Sequence, residues 1–280
     1  MTKSLVTGGA GFIGSNLVDY LLDKGHEVVC VDNERANNEK FYWNEKAYNV
    51  NCDILDHKTL KNCMWGIDYV FHLAAESRLQ PAIENPIETV QINSVGTCNV
   101  LQCAREAEVK RVVYSSTSSA YGLNEAPNVE CQPDDCLNPY SISKVNGEKL
   151  CKMYTDLYGL ETIVFRYFNV YGDRQPSKGQ YAPVIGIFLR QFDNDQELTI
   201  VGDGEQRRDF INVKDVCKAN YLAATKELNK DQLGQVYNVG YGSNYSVNEI
   251  AKMISDFTIN IGDRPGEAKE TLAHISKIKG

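Results

Sequence analysis

The sequence predicts an α/β fold, a doubly wound parallel sheet followed by a smaller C-terminal α/β lobe. Three observations predict it. Over the first 170 residues, short apolar runs alternate with longer amphipathic ones, the pattern of a parallel sheet covered by helices on both faces. A glycine-rich turn, Thr7–Gly14 (TGGAGFIG), lies between the first apolar run and the first amphipathic one. After Tyr171 the regular rhythm gives way to shorter elements.

Taken in order, Ser4–Thr7 reads as the first strand and Phe12–Asp23 as the first helix. Glu27–Val31, Tyr69–Leu73, Arg111–Tyr114 and Thr162–Phe165 are short, rich in β-branched and aromatic residues, and read as strands. A further strand ends near Asn51. Ile87–Glu106 and Pro139–Tyr158 have helical periodicity. The second starts sharply, because Asn138 suits the N-cap and Pro139 the first helical position. Asp173–Gln180 is polar and turn-like. Beyond it, helices are expected over Pro183–Phe192, Lys214–Lys226 and Val247–Phe257, and strands over Leu198–Val201, Phe210–Val213 and Val236–Val239. The expected division is a dinucleotide-binding domain over 1–170 and a substrate lobe over 171–280, with segments near 209–240 returning to the main domain.

A chain of 280 residues with 42% hydrophobic content can bury a substantial core. Its formal charge of -8 disfavours a nucleic acid as the main ligand, which needs a basic surface. A small anionic ligand remains compatible. No run approaches the roughly 20 apolar residues of a membrane helix, and Lys3 leads straight into the first strand without a signal-peptide pattern. The nine cysteines include no Cys-x-x-Cys, and the four histidines are scattered, so no metal site is expected. Reduced, mostly buried cysteines point to a cytoplasmic protein.

The glycine turn is where chemistry enters. Gly8, Gly11 and Gly14 keep the turn tight and let backbone N–H groups approach a pyrophosphate at a helix N-terminus, as in a Rossmann-type dinucleotide site. Asp32 closes the second strand, 18 residues after Gly14. A carboxylate there accepts hydrogen bonds from ribose hydroxyls and repels a 2′-phosphate, so NAD is the expected cofactor rather than NADP.

Tyr140 and Lys144 share a helix face. Tyr20/Lys24 and Tyr42/Lys46 have the same spacing, so spacing alone decides nothing. The distinguishing neighbour is the run Ser115–Ser119 leaving the Arg111–Tyr114 strand, at the sheet's carboxyl edge where ligands bind. A Lys ammonium about 5 Å from the phenol contributes roughly 3 kcal/mol at an effective dielectric of 20, about two pKa units. Tyr140 is thereby expected to act as a general base near neutral pH, with Thr117 aligning the substrate oxygen.

These segments resemble the extended short-chain dehydrogenase/reductase family, in particular the nucleotide-sugar 4-epimerases. The matches are Thr7–Gly14, Asp32-Asn33, Cys52-Asp53-Ile54, His72–Ala75 (HLAA), Ser115–Gly122 (SSTSSAYG), Tyr140–Lys144 (YSISK), Arg166–Gly172 (RYFNVYG), Arg208-Asp209-Phe210 and Arg264–Glu267 (RPGE). The resemblance implies Thr117, Tyr140 and Lys144 as the catalytic triad. For NAD it implies Gly8, Gly11, Phe12, Ile13, Gly14, Asp32, Asn33, Asp53, Ile54, Leu73, Ala74, Ala75, Asn93, Ser115, Tyr140, Lys144 and Phe168. For a UDP-sugar it implies Glu76, Thr117, Asn169, Ala182, Val184, Phe188, Arg208 and Arg264, the arginines meeting the diphosphate. It further implies a homodimer through the Ile87–Glu106 and Pro139–Tyr158 helices, and oxidation at sugar C4 followed by return of the hydride to the other face.

Related 4,6-dehydratases carry an acid pair directly after the catalytic Thr, and related decarboxylases carry Glu in the same loop. Here Ser118 and Ser119 stand there, which favours epimerisation over dehydration, decarboxylation or one-way reduction. The retained Thr117, Tyr140 and Lys144 argue against a non-catalytic NAD-binding protein. Asp173–Phe188 resembles the 4-epimerases acting on UDP-N-acetylhexosamines, and Thr271 falls at the family's size-gating position. Two departures stand out. His274 occupies a place where an Asp is usual, and the chain stops at Gly280, sooner than the family norm.

Overall fold

The computed structural model describes residues 1–36, 40–178, 182–262 and 268–280. Seven strands form one parallel sheet in the order β3-β2-β1-β4-β5-β6-β10. These are β1 (Lys3–Thr7), β2 (Glu27–Asp32), β3 (Tyr48–Asn51), β4 (Tyr69–His72), β5 (Arg111–Thr117), β6 (Glu161–Tyr167) and β10 (Gln235–Val239). The order reverses at β1, between β2 and β4, and this switch point opens the ligand crevice of such sheets.

Side-chain alternation explains why both faces are covered. Leu5, Val31, Val112, Tyr114 and Val164 face one core, under α2 (His57–Cys63), α5 (Gly96–Glu106) and α6 (Pro139–Tyr158). Val6, Cys30, Val113, Ile163 and Phe165 face the other, under α1 (Phe12–Asp23) and α8 (Val213–Thr225). Thus β10 and α8, late in the chain, build onto the main sheet. Asn138 caps α6 by accepting from Ser141 N–H (2.9 Å), Pro139 occupies its first turn, and Gly159 ends it at φ +72°.

The helices depart from expectation in several places: α2 and α3 (Leu79–Glu84) are additional, and α9 (Val247–Ile254) ends three residues early. Ile87–Glu106 is not one regular helix: α4 (Pro86–Val90) passes through a π turn, Gln91–Val95, before α5 begins. The extra residue in that turn sets Asn93 against Glu76 and Ser143. The short helix α3 precedes it. The Arg111 strand also runs three residues further than expected, so Ser115–Thr117 are strand rather than loop, paired with Phe165–Tyr167.

The remaining elements form a smaller unit. Strands β7 (Asn169–Tyr171), β9 (Arg207–Asn212) and β11 (Asn244–Ser246) make one sheet, and β8 (Leu198–Val201) pairs with β12 (Thr258–Ile261). Helices α7 (Val184–Asp193) and α9 (Val247–Ile254) pack with them around Phe188, Leu198 and Ile250. The chain closes with α10 (Ser276–Lys279). No helix among the described residues is long and apolar enough to cross a membrane.

Candidate active site

The glycine turn has the dimensions of a phosphate cradle. Gly8 has φ +69°, and a Cβ there would stand 2.7 Å from Ala74 N. At Gly14 a Cβ would meet Gly8 O at 2.0 Å, so α1 can start this close to the turn only with glycine. Gly11 differs. Its hypothetical Cβ approaches nothing described nearer than Gly8 O at 3.4 Å, so protein packing does not demand glycine. The space beside it, at a helix start that no described side chain caps, fits the close approach of a pyrophosphate. Phe12 and Ile13 pack their side chains into the core beneath.

Asp32 sits nearly buried at the end of β2. Its carboxylate accepts from Ala10 N–H (3.1 Å) and Glu34 N–H (2.9 Å), while burial pushes its pKa above the usual carboxylate value. Asn33 donates to Asp53 (3.0 Å), and Asp53 also accepts from Leu55 N–H (2.8 Å). Ile54 is buried against Gly96. These residues form one edge at the carboxyl ends of β2 and β3, the place expected for an adenosine.

The middle of the crevice is braced by a directed hydrogen-bond chain. Thr7 Oγ1 accepts from Ala74 N–H (3.3 Å) and donates to His72 Nδ1 (2.8 Å). His72 Nε2–H donates to Thr97 Oγ1 (2.9 Å), whose own proton goes to Asn93 C=O (2.5 Å). Each hydroxyl's remaining bond sets the imidazole tautomer. Burial lowers the His72 pKa to about 3, so the ring is neutral. Leu73, Ala74 and Ala75 follow directly after this histidine. The Asn93 carboxamide is engaged with Glu76, through N–H (2.8 Å) and C=O (2.9 Å), and with Ser143 Oγ (2.9 Å).

Thr117, Tyr140 and Lys144 come together where β5 ends and α6 begins. Thr117 Oγ1 accepts from Ser119 N–H (3.1 Å), and the Thr117 hydroxyl also pairs with the Tyr140 hydroxyl. Tyr140 is half-buried as a residue, with its hydroxyl at the desolvated end. Burial pushes its pKa above the usual tyrosine value, the Thr117 bond opposes this, and the Glu76 carboxylate adds to it. The lowering expected from Lys144 is therefore not delivered by the protein alone. The reason lies in Lys144 itself: it is 3% exposed, and burial brings its pKa down to about 7.

A cavity of about 390 Å³ opens beside this group, between the main sheet and the smaller unit. Ser118, Ser119, Asn169 and Arg208 line it with polar groups. Ala182, Val184, Phe188 and Thr271 line it with smaller or apolar surface. Asn169 donates to Asp209 C=O (2.9 Å), and Arg208 to Arg207 C=O (2.9 Å). The Thr271 hydroxyl oxygen is buried there. Ser115 donates its hydroxyl to Tyr167 (3.0 Å), and Phe168 is buried against Tyr121. Arg264 lies outside the described residues. No group of His, Cys, Asp or Glu among the described residues has the arrangement of a metal site.

Sequence reading did not find the charged layer beneath the triad. Ser116 donates to Glu148 (2.5 Å), and Arg166 donates to both Glu148 oxygens (2.9 and 2.7 Å) and to Asp134 (2.6 Å). The Arg166 guanidinium also lies 4.7 Å from the centre of the Tyr121 ring. Glu148 stands one helical turn after Lys144, so the i, i+4 spacing continued from Tyr140 and Lys144 was the available signal.

The NAD-dependent epimerase/dehydratase family profile matches residues 4–240. A protein of Methanocaldococcus jannaschii is 40% identical over 253 residues, covering 89% of this chain and 80% of that one. A Bacillus cytotoxicus UDP-N-acetyl-alpha-D-glucosaminuronate decarboxylase is 36% identical, covering 91% and 80%. Among solved structures, UDP-N-acetylglucosamine 4-epimerase from Methanobrevibacter ruminantium, in complex with UDP-N-acetylmuramic acid, superposes with a TM-score of 0.92 at 34% identity, over 99% of this chain and 91% of that one. With its switch-point crevice, glycine cradle and Thr-Tyr-Lys group, this chain belongs to the NAD-dependent epimerase/dehydratase family.

Proposed function

We propose that the protein is a UDP-sugar 4-epimerase, acting through a transient 4-keto sugar. The observation that carries this reading is the cavity wall. Ser118 and Ser119 follow Thr117 and line the cavity, so the loop leaving β5 presents hydroxyls there and no carboxylate. Dehydration and decarboxylation relatives supply acid groups from that loop, and serine hydroxyls are poor replacements for them.

Bound NAD supplies the reversible hydride acceptor. The chain's own residues do the rest. Gly8–Gly14 and Asp32 hold the dinucleotide, Tyr140 takes and returns the proton of the sugar 4-hydroxyl, and Thr117 fixes that oxygen's direction. Lys144, when charged, favours the tyrosinate. Arg208 and Asn169 face the diphosphate end, and Arg264 is proposed beside them. Thr271 leaves room for an N-acetyl group, so UDP-N-acetylhexosamines are the preferred substrates in this reading. A Thr271→Tyr variant that keeps full activity on them counts against that preference.

Ile87 is 75% exposed, Val95 54% and Ile142 44%, on α4, the π turn and α6. This apolar face supports the homodimer implied by the resemblance, and Ile87→Asp is expected to yield monomers by light scattering. All nine cysteines are free, in keeping with a reducing cytoplasm. The deciding experiment incubates the protein and NAD with UDP-N-acetylglucosamine, UDP-glucose and GDP-mannose, with products read by proton NMR. A C4 epimer of a UDP-sugar is expected. A deoxy, pentose or keto product, or no epimer from any UDP-sugar, overturns the reading.

A further inference from the structure

The catalytic lysine rests on an aromatic floor. Lys144 Nζ lies 4.3 Å from the centroid of the Tyr114 ring, and both residues are buried. Tyr114 is tied to the same helix turn, because its hydroxyl donates to Lys144 C=O (3.2 Å). The helix is shaped to admit it: a Cβ at Gly147 would stand 2.2 Å from the Tyr114 hydroxyl oxygen, so only glycine lets the phenol reach this place. On the other side His72 packs at 5.5 Å between centroids, itself held by Thr7 and Thr97. The ring has no freedom to move away from the ammonium.

The groups around Lys144 leave the ring with work to do. On α6, Glu148 and the Cys151 thiol favour its charged form. Glu148 is already shared between Ser116 and Arg166, so much of its field is taken up by a closer cation. Burial pushes the Cys151 thiol pKa far up, so Cys151 is neutral. His72, from β4, is also neutral. Tyr140, one turn earlier on α6, is a phenol whose pKa lies above its usual value. Against these, burial disfavours the ammonium. The face of a buried aromatic ring is the remaining attraction, and such contacts are strongest when desolvated.

We propose that Tyr114 is a positioning residue for catalysis, whose ring face keeps Lys144 charged and in place and whose hydroxyl locks that ring to the helix. The inference rests on the reading of Lys144 as a catalytic group, but its test measures the ammonium itself and needs no substrate.

The experiment is an NMR titration of the Lys144 side chain in lysine-labelled, NAD-loaded protein, its signal assigned by its absence in Lys144→Met. Tyr114→Phe keeps the ring face and is expected to titrate like the parent. Tyr114→Leu removes the ring, and the midpoint is expected to fall by about 1 to 1.5 pH units. Should the leucine variant not fold, phenylalanines of increasing fluorination placed at position 114 keep the shape while weakening the ring quadrupole. The Lys144 midpoint is then expected to fall stepwise with fluorine number. A midpoint that stays constant across that series overturns the proposal. A stepwise fall in a protein that turns over no UDP-sugar supports it while refuting the proposed function.

Discussion

His72 gives a test of the crevice that does not depend on the substrate. In the fold its ring is neutral, with a pKa lowered to about 3 by burial, against an ordinary value of 6.5. Thr7 donates into Nδ1, so the nitrogen that would take a proton already serves as an acceptor. The sign follows from proton counting: as pH falls below 6.5 the unfolded chain protonates this histidine and the folded chain does not. Stability contributed by the neutral ring is therefore complete above 6.5 and is lost as pH falls towards 3. At pH 5.0 the loss is 1.5 units below the unfolded value, or about 2 kcal/mol at 1.36 kcal/mol per unit. His72→Gln retains one donor and one acceptor but cannot titrate. Urea unfolding of both proteins at pH 7.5 and 5.0, followed by tryptophan fluorescence, gives the comparison. The variant is expected to be less stable at pH 7.5, yet to lose about 2 kcal/mol less on acidification. Equal losses in the two proteins would refute the account of a neutral, locked His72.

Three further outcomes follow from the same geometry. Gly11→Ala should weaken NAD binding by calorimetry while leaving the melting temperature of the cofactor-free protein nearly unchanged, whereas Gly14→Ala should lower that temperature as well, given the 2.0 Å approach to Gly8 O. Removing Glu148 strands the buried Arg166 guanidinium, so Glu148→Ala should cost about 3–5 kcal/mol, seen as a melting-point drop on the order of 10 °C; an unchanged melting point would show that the ion layer carries no such load. Tyr140→Phe should lower kcat by about two to four orders of magnitude with NAD affinity within a few fold, and a variant of normal kcat would remove Tyr140 from the proton path.

What the residues disclosed in advance divides along a physical line. The parallel sheet was legible because its strands are buried on both faces, and runs such as Leu5-Val6 and Val112-Val113 must then be apolar throughout. Helix α6 was legible to the residue, because Asn138, Pro139 and the left-handed Gly159 are local stop and start signals. The glycine cradle and the Thr117–Tyr140–Lys144 group carry motifs dense enough to name in sequence. The π turn at Gln91–Val95 left no such mark. Its cause is tertiary, the fit of Asn93 between Glu76 and Ser143, and a regular helical pattern runs straight through it. Helix α3 and strands β7, β11 and β12 were hidden for a related reason, since elements this brief repeat a pattern too few times for it to stand out, whereas the four residues of β8 were read correctly.

The residues around the site to which the sequence assigned no role share one property that bears on how the site would work. Tyr114, His72, Glu148 and Arg166 are all buried and lie on three different strands and one helix, so only folding brings them near the triad. Each constrains a group the motif does name. Tyr114 sits under Lys144, His72 links the glycine turn to the Asn93 turn, and Glu148 with Arg166 fixes Ser116, next to Thr117. In the proposed function the motif residues supply proton-transfer and binding groups, but a half-buried tyrosine with a raised pKa is a poor base by itself. In our proposal it is made usable by the Lys144 ammonium, whose pKa burial brings down to about 7 and whose charge the Tyr114 ring helps to hold. A chain carrying the YSISK segment with the aromatic floor or ion layer removed would keep the family signature and lose much of the chemistry, which is why the variants at 114 and 148 test the site more sharply than another substitution within the motif.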